Sequence, residues 1–414
     1  MAITPIIVAL RRHKAGALLI GLQIALTLAI VCNALFIITT RIERIGRPTG
    51  IDEANLFKVS VQRTGLPSDG EAAKVRLDAD VRTDLAAIRA LPDVADAYVT
   101  NTLPLANSNW TGWLGQSPND EKVGPSTAFF LGDEHTLATL GLHLVEGRNF
   151  RPDEVLPHSL RDRVAPAQLI ISKALAQKLF PDGDAVGKTV YVGPAAPPTR
   201  IIGVVDRLQS STVQAWGESF AWQTSIVPAR FSFTYRTYAI RARPGRLDAA
   251  MKAVPDALYA VDPQRVIPED DGVLSFAGIR ARAYRADRGM AILMGAVCII
   301  LLTVTAAGVV GLSSFWVGQR RRQIGIRRAL GATRRNILNY FLAENALITT
   351  GGVLVGALMA FAINAWLMVQ FELARLSVNY VLAGIVALIV LGQASAFAPA
   401  LRASHIPPVE ATRS

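Results

Sequence analysis

Seven arginines and no acid fall in the run Gln319-Arg320-Arg321-Arg322-Gln323-Ile324-Gly325-Ile326-Arg327-Arg328-Ala329-Leu330-Gly331-Ala332-Thr333-Arg334-Arg335. The chemistry on offer is charge: pairing with acidic side chains or anionic headgroups, and orientation in a membrane. Other candidate chemistries are weaker. Gly183-Asp184-Ala185-Val186-Gly187-Lys188-Thr189 invites a phosphate-binding loop, but three residues separate Gly183 from Gly187-Lys188 where that loop has four. A helical pattern precedes these glycines and strand-like Thr189-Val190-Tyr191 follows, the reverse of a phosphate cradle, so the segment reads as a turn. Asp133, Glu134, His135 and His143 are the nearest approach to a metal set. They lack the HExxH spacing and have no cysteine to help, so His135 reads as an exposed loop histidine. No serine or cysteine carries a local base motif. No catalytic, cofactor-binding or metal residue is therefore assigned.

The elements that must position the arginine block are apolar runs on either side of it. A short loop this rich in arginine resists translocation and belongs in the cytoplasm. The whole chain has 414 residues, 51% hydrophobic and 18% charged, with formal net charge +11 and mean hydropathy +0.32. That balance describes a protein partly in a membrane. Because the arginines gather at span ends, the charge points to orientation and lipid headgroups; no helix-turn-helix or RNA-recognition pattern argues for nucleic acid. Spans are expected at 15–40, 289–317, 341–368 and 380–401, each long enough to cross about 30 Å of hydrocarbon. Residues 1–14, with Arg11-Arg12-His13-Lys14, then stay inside, 318–340 form a cytoplasmic loop, 370–379 a short external turn, and 402–414 a cytoplasmic tail. Both termini are cytoplasmic on this reading, and residues 41–288 lie outside.

The outer region reads as mixed α/β. Leu56 to Val61 alternates as a strand, Val75 to Leu91 carries the helical stripe Leu77, Val81, Leu85 and Ile88, and Val94 to Thr100 is a second strand. The unit recurs at Thr237 to Arg243, Leu247 to Tyr259 and Arg265-Val266-Ile267. Two strand–helix–strand units flank an insertion at about 101–228, which is rich in Gly, Pro, Ser and Thr and has strands at Gln168 to Ile171 and Arg200 to Val205. The fold class is an α-helical membrane protein with four transmembrane helices and a large exported α/β domain, one lobe split by an inserted second lobe. Cys32 and Cys298 both lie in apolar runs, so the outer domain needs no disulfide.

Small residues recur at fourfold spacing in two spans: Gly21, Ala25 and Ala29, then Asn33; and Gly352, Gly356 and Ala360, then Asn364. Each set lies along one side of its helix and favours close packing, either within the chain or at a dimer seam. No Asp, Glu, Lys or Arg lies mid-membrane in the first, second or fourth span, unlike an ion-driven carrier. Glu344, near the inner end of the third, can clamp Arg334 or Arg335, or can reach headgroup water. Arg280, Arg282, Arg285 and Arg288 lead into the second span, as a basic collar if this stretch is helical, with snorkelling to phosphate headgroups as the simpler role.

The basic–Ile–Gly–Ile–Arg–Arg–Ala–Leu–Gly–Ala pattern of residues 322–332 resembles the cytoplasmic loop of ABC-transporter permeases of the macrolide-exporter and cell-division permease superfamily. Gly141-Leu142 with Gly147-Arg148-Asn149-Phe150, then Ile171 to Phe180, Val186-Gly187-Lys188-Thr189-Val190, Ile202 to Asp206 and the terminal Pro408-Val409-Glu410-Ala411 follow that family's order, so the likeness covers nearly the whole chain. The resemblance implies a porter-like lobe with a second, family-specific lobe inserted. It implies an ABC ATPase subunit, separate because the chain has no Walker A, which binds ATP and Mg and docks on Ile324, Gly325, Ile326, Arg327, Arg328, Ala329, Leu330, Gly331 and Ala332, with Glu344 in support. It further implies a second permease subunit in a homo- or heterodimer, and, in Gram-negative bacteria, often a periplasmic adaptor and outer-membrane channel. The expected function is export of a drug, peptide or lipid-like cargo; the alternative is a signalling permease that regulates an exported cell-wall enzyme. Ile326 and Leu330, four apart, share the helical face that would enter an ATPase groove, with Arg327 and Arg328 pairing acids at its rim and Gly331 allowing a turn or close packing.

Overall fold

The computed structural model describes residues 14–65, 70–108, 110–118, 124–160, 162–371 and 375–407. The N-terminal basic flank Arg11-Arg12-His13 and the Pro408-Val409-Glu410-Ala411 signature lie outside the described residues. Two compact units emerge: Arg47–Arg285, and the segments before and after it.

Helix α1 (Lys14–Ile45) comes first among the described residues, and the lobed unit follows it. Strand β1 (Leu56–Arg63), helix α2 (Glu71–Arg89) and strand β2 (Val94–Thr100) come first. The inserted lobe comprises β3 (Thr111–Gly115), β4 (Ser126–Gly132), α3 (Thr136–Leu140), β5 (Leu144–Gly147), β6 (Leu156–His158), β7 (Gln168–Ser172), α4 (Lys173–Leu179), β8 (Thr189–Val192), β9 (Pro198–Val205) and β10 (Thr224–Phe231). The first lobe then resumes with β11 (Tyr235–Ala242), α5 (Leu247–Val261), β12 (Arg265–Val266), β13 (Val273–Ser275) and α6 (Phe276–Ala283).

The period-2 alternation of β1 sends Phe57, Val59 and Val61 to one face, where they pack on Val81, Leu85 and Ile88 of α2 and on Ala250, Val254 and Leu258 of α5. The sheet runs β12-β1-β11-β2, with β13 also on β1, and every pairing is antiparallel. Strand β11 therefore lies between β1 and β2, and β1 between β11 and β12, so the two strand–helix–strand units interleave as in a ferredoxin-like plait. Charged groups pin α2 to this sheet. Asp84 accepts from Arg236 at 3.0 Å and from Tyr238, and Arg265 also reaches it; Asp80 pairs with Arg236 and Arg63. Asp78 instead takes Arg230, on β10 of the inserted lobe, at 2.9 Å, and Arg82 of its own helix at 2.8 Å. Burial alone would raise the Asp78 carboxyl, and the hydrogen bonds and charges of Arg230 and Arg82 overcome it, so it titrates below the ordinary value.

The inserted lobe's sheet runs β4-β3-β8-β9-β7-β10-β6, with β5 on β9. Strand β10 also pairs in parallel with β4, Thr224 opposite Ala128, which closes six of these strands into a ring. Closure explains why all eight residues of β10 are buried.

The remaining helices are α7 (Arg285–Gln319), α8 (Arg321–Ala329), α9 (Arg334–Phe371) and α10 (Val378–Ser404). Helices α1, α7, α9 and α10 are long and apolar enough to cross a membrane. The two small-residue ridges face each other within the chain: a methyl on Gly352 would lie 2.8 Å from the Gly21 carbonyl oxygen, and one on Gly356 2.8 Å from that of Ala25. Farther along the same seam, the Asn33 amide donates to the Ala360 carbonyl at 3.1 Å and to that of Ala29 at 2.9 Å. Asn364 accepts from the Leu376 backbone at 2.9 Å and so ties α9 to the start of α10. Helix α7 meets α1 through Thr27–Thr305 at 2.7 Å, Gln23 to the Val304 carbonyl at 3.0 Å, and the Arg41–Asp287 ion pair.

Candidate functional site

Within residues 319–335 lies the short helix α8 (Arg321–Ala329), between the long apolar helices α7 and α9. Arg320 is the N-cap of α8, and its own chain turns there after α7 ends. At the other end Gly331 takes φ +96°, its N–H bonds the Arg328 carbonyl at 3.1 Å, and the Ala332 N–H bonds the Arg327 carbonyl at 3.1 Å. These two bonds with a left-handed residue between them make a Schellman stop, the reason a glycine is needed at that position. Thr333 then caps the next turn by accepting from the Asn336 N–H, and α9 begins.

The inner face of α8 is an anchor. Ile324 is 4% exposed and packs with Val317, Ile337, Phe341, Ala400 and Ala403; Gly325 is buried, and Ala332 borders the same cluster. The outer face is bare: Ile326 is 47% exposed, Leu330 83%, and Ala329 is exposed between them. An isolated short helix would not hold this arrangement in water, so the anchoring contacts must supply its stability.

Two arginines of the block do the tethering. Arg320 donates to both carboxylate oxygens of Glu344 on α9, at 3.0 and 2.8 Å, with its guanidinium 5.8 Å from the Trp316 ring centre. Glu344 thus takes Arg320, not the expected Arg334 or Arg335. The reason is geometric: Arg334 and Arg335 open α9 and are exposed, while Glu344 faces inward at 2% exposure, toward the end of α7. Arg328, expected as a rim charge, instead turns inward and donates to the Ile406 carbonyl beyond α10 at 2.8 Å. Arg327 remains on the outer side, its guanidinium 4.9 Å over the Tyr340 ring. Sequence reasoning missed Arg320 and Ile406 as partners; both lie far along the chain from the groups they meet, and no local spacing signals them.

Elsewhere, Gly183 and Gly187 take positive φ in a turn between α4 and β8, and Lys188 folds back onto the Gly183 carbonyl at 3.2 Å and over the Phe180 ring. His135 is paired: Nδ1 lies 2.9 Å from Asp96. Its neighbour Asp133 is buried, and burial raises its carboxyl to about 6, against the pull of Arg89 and with a further push from Glu134. Arg280 and Arg282 do not continue into α7 as a collar. They sit on α6, where Arg280 pairs with Glu53 and Arg282 with Asp271 at 2.6 Å; Arg285 and Arg288 belong to α7.

Comparison with known proteins places both units. Residues 23–257 match the MacB-like periplasmic core domain, and residues 295–408 the FtsX-like permease C-terminal domain. The macrolide export ATP-binding/permease protein MacB of Chromobacterium violaceum is 27% identical over 87% of this chain and 53% of its own length. That of Bartonella quintana is 29% identical over 80% of this chain and 47% of its own. An ABC transporter permease of Bacillus subtilis, YvrN, is 27% identical over 59% of this chain and 61% of its own length. The chain thus spans about half the length of the MacB relatives. The solved periplasmic region of MacB from Actinobacillus actinomycetemcomitans aligns with 56% of this chain and 94% of its own, at 15% identity and TM-score 0.33. With its core-domain match covering more than half of the sequence and an FtsX-like segment after it, the chain belongs to the MacB-like permease family of ABC transporters.

Proposed function

We propose that this chain is the membrane subunit through which an ABC ATPase moves the lobed domain, with α8 as the ATPase's seat. One observation carries the reading. Helix α8 is fixed on its inner side by Ile324, Arg320–Glu344 and Arg328–Ile406, yet leaves Ile326 and Leu330 bare on its outer side. A solvent-side apolar pair on an anchored helix is what a partner groove takes up. The arginines around it favour a cytoplasmic position, which sets both termini inside and Arg47–Arg285 outside. In this arrangement the ATPase binds ATP and Mg, two permease chains pair as a homo- or heterodimer, and the outer domains move cargo of a drug, peptide or lipid-like kind, with an adaptor and outer-membrane channel beyond them. The membrane is the inner one.

The test is co-purification of the ATPase with the full chain and its hydrolysis rate in the complex. Leu330→Asp should abolish both association and coupled activity while insertion proceeds, because Leu330 touches little in the chain itself. Arg327→Glu should weaken association, and more so at low ionic strength. Full ATPase association in Leu330→Asp would remove α8 as the seat. Cysteine labelling that finds Arg328 accessible from the same side as Asp271 would overturn the topology.

A further inference from the structure

The first lobe has a helix-covered face and a second face, and the second holds a cavity of about 280 Å³, near the lower end of what small-ligand sites occupy. Its floor is Lys58 of β1; its walls are Leu105, Ala106, Leu274 and Ile279; Arg282 and Asp271 stand at its side. The charges do not balance. Asp271 alone serves two cations, its Oδ2 taking Lys58 Nζ at 3.0 Å and its Oδ1 taking Arg282 at 2.6 Å. The Lys58 side chain is only 11% exposed, and among the described residues Asp271 is its one acceptor, so two of its three N–H donors are left to whatever fills the cavity. The wall beside it is conformationally costly. Leu105 holds φ +65°, a region most L side chains avoid, kept there by its N–H to the Ser210 carbonyl at 3.3 Å, and the neighbouring Asn107 N–H bonds the Ser211 carbonyl at 2.7 Å. Strain that the surroundings enforce gathers at ligand clamps.

We propose that this cavity is a binding site for a small amphiphile carrying one carboxylate, its anionic end on Lys58 and Arg282 and its apolar body against Leu105, Leu274 and Ile279. The site lies within Arg47–Arg285 and needs no ATPase, so it stands or falls apart from the coupling reading.

The experiment titrates 4-phenylbutyrate, and separately its neutral amide, into the full chain in zwitterionic lipid nanodiscs, read by calorimetry and saturation-transfer NMR against empty nanodiscs. The carboxylate should bind saturably at one site per chain and roughly tenfold more tightly than the amide, the worth of a charge-assisted hydrogen bond. Lys58→Met should weaken it about tenfold. Asp271→Asn, which releases both cations from their present partner, should tighten it. Ala106→Trp, a substitution at an exposed wall position, should block it without lowering the thermal midpoint. Uptake no greater than by empty nanodiscs, equal binding of acid and amide, or binding unchanged in both Lys58→Met and Ala106→Trp would each overturn the proposal.

Discussion

Replacing Glu344 by alanine tests the joint between α7, α8 and α9 directly. In the native chain Arg320 is 9% and Glu344 2% exposed at the side chain, and two contacts of 2.8 and 3.0 Å join them. Deleting one member of a buried ion pair costs about 3–5 kcal/mol, because the charge left behind has lost its counter-ion without regaining water. Arg320 is the N-cap of α8, so it can escape that cost only by swinging outward and loosening the helix it starts. A local penalty of about 3 kcal/mol corresponds to a roughly hundredfold rise in the open population. Amide hydrogen exchange of residues 321–329 in the full chain reads this population. Glu344→Ala should accelerate it by about that factor while the peptides of β1 and β11 stay protected. The pair of changes Arg320→Met with Glu344→Leu should restore most of the protection, since an apolar pair of similar volume replaces a buried ion pair at little cost. Stimulation of the ATPase should fall in the single variant for the same reason. Exchange of 321–329 within a few-fold of wild type in Glu344→Ala would show that this pair does not fix α8.

Asp133→Asn should change the pH dependence of the thermal midpoint. The folded carboxyl is raised to about 6 from an unfolded value near 4, so its contribution is fully present below about pH 4 and is lost as pH rises through 6. Above pH 7 the variant should therefore be the more stable, by up to about 3 kcal/mol, and near pH 4 the two should coincide; parallel midpoints from pH 4 to 8 would refute the assignment. Gly356→Leu should destabilise the helical unit by about 1–3 kcal/mol through overpacking, whereas Gly351→Leu, which meets nothing within 4 Å, should be tolerated; equal thermal midpoints would contradict the α1–α9 seam. Lys188→Ala should leave ATP hydrolysis by the assembled complex unchanged, because Lys188 closes its own turn; loss of nucleotide binding with assembly intact would reveal a missed site.

Local pattern made part of this molecule legible and left another part hidden. The alternation of Leu56 to Val61 and the stripe Leu77, Val81, Leu85, Ile88 became β1 and the buried face of α2, because both periods are set by backbone geometry and a single core. Val94 to Thr100 became β2 with the same bounds. The parallel pairing of β4 with β10 that closes the inserted lobe was invisible, since it joins Ala128 to Thr224 across most of the insertion and leaves no trace in either strand's own pattern. The arginine block was legible as a unit but not residue by residue. Its seven members look alike in sequence, and burial sorts them: Arg320 to Glu344, Arg328 to Ile406, Arg327 outward over Tyr340.

That sorting carries the mechanical argument further than the charge does. Through Arg320, α8 is tied to α9; through Arg328, to the residue two beyond the end of α10; through Ile324, to a cluster drawing on α7, α9 and α10 together. Contacts from α8 therefore reach three long helices at once, not only the two that flank it in sequence. The fourth, α1, joins α9 along the glycine seam, where backbones approach too closely for a side chain to fit between them. Helices α1 and α7 are also the two elements that lead by chain into Arg47–Arg285, and Arg41 and Asp287 clasp them to each other where they do so. Helix α7 joins α1 through Thr27–Thr305, the Val304 carbonyl and Cys298, and its Val309 and Trp316 lie in the same apolar core as Ile20, Ile24 and Leu28.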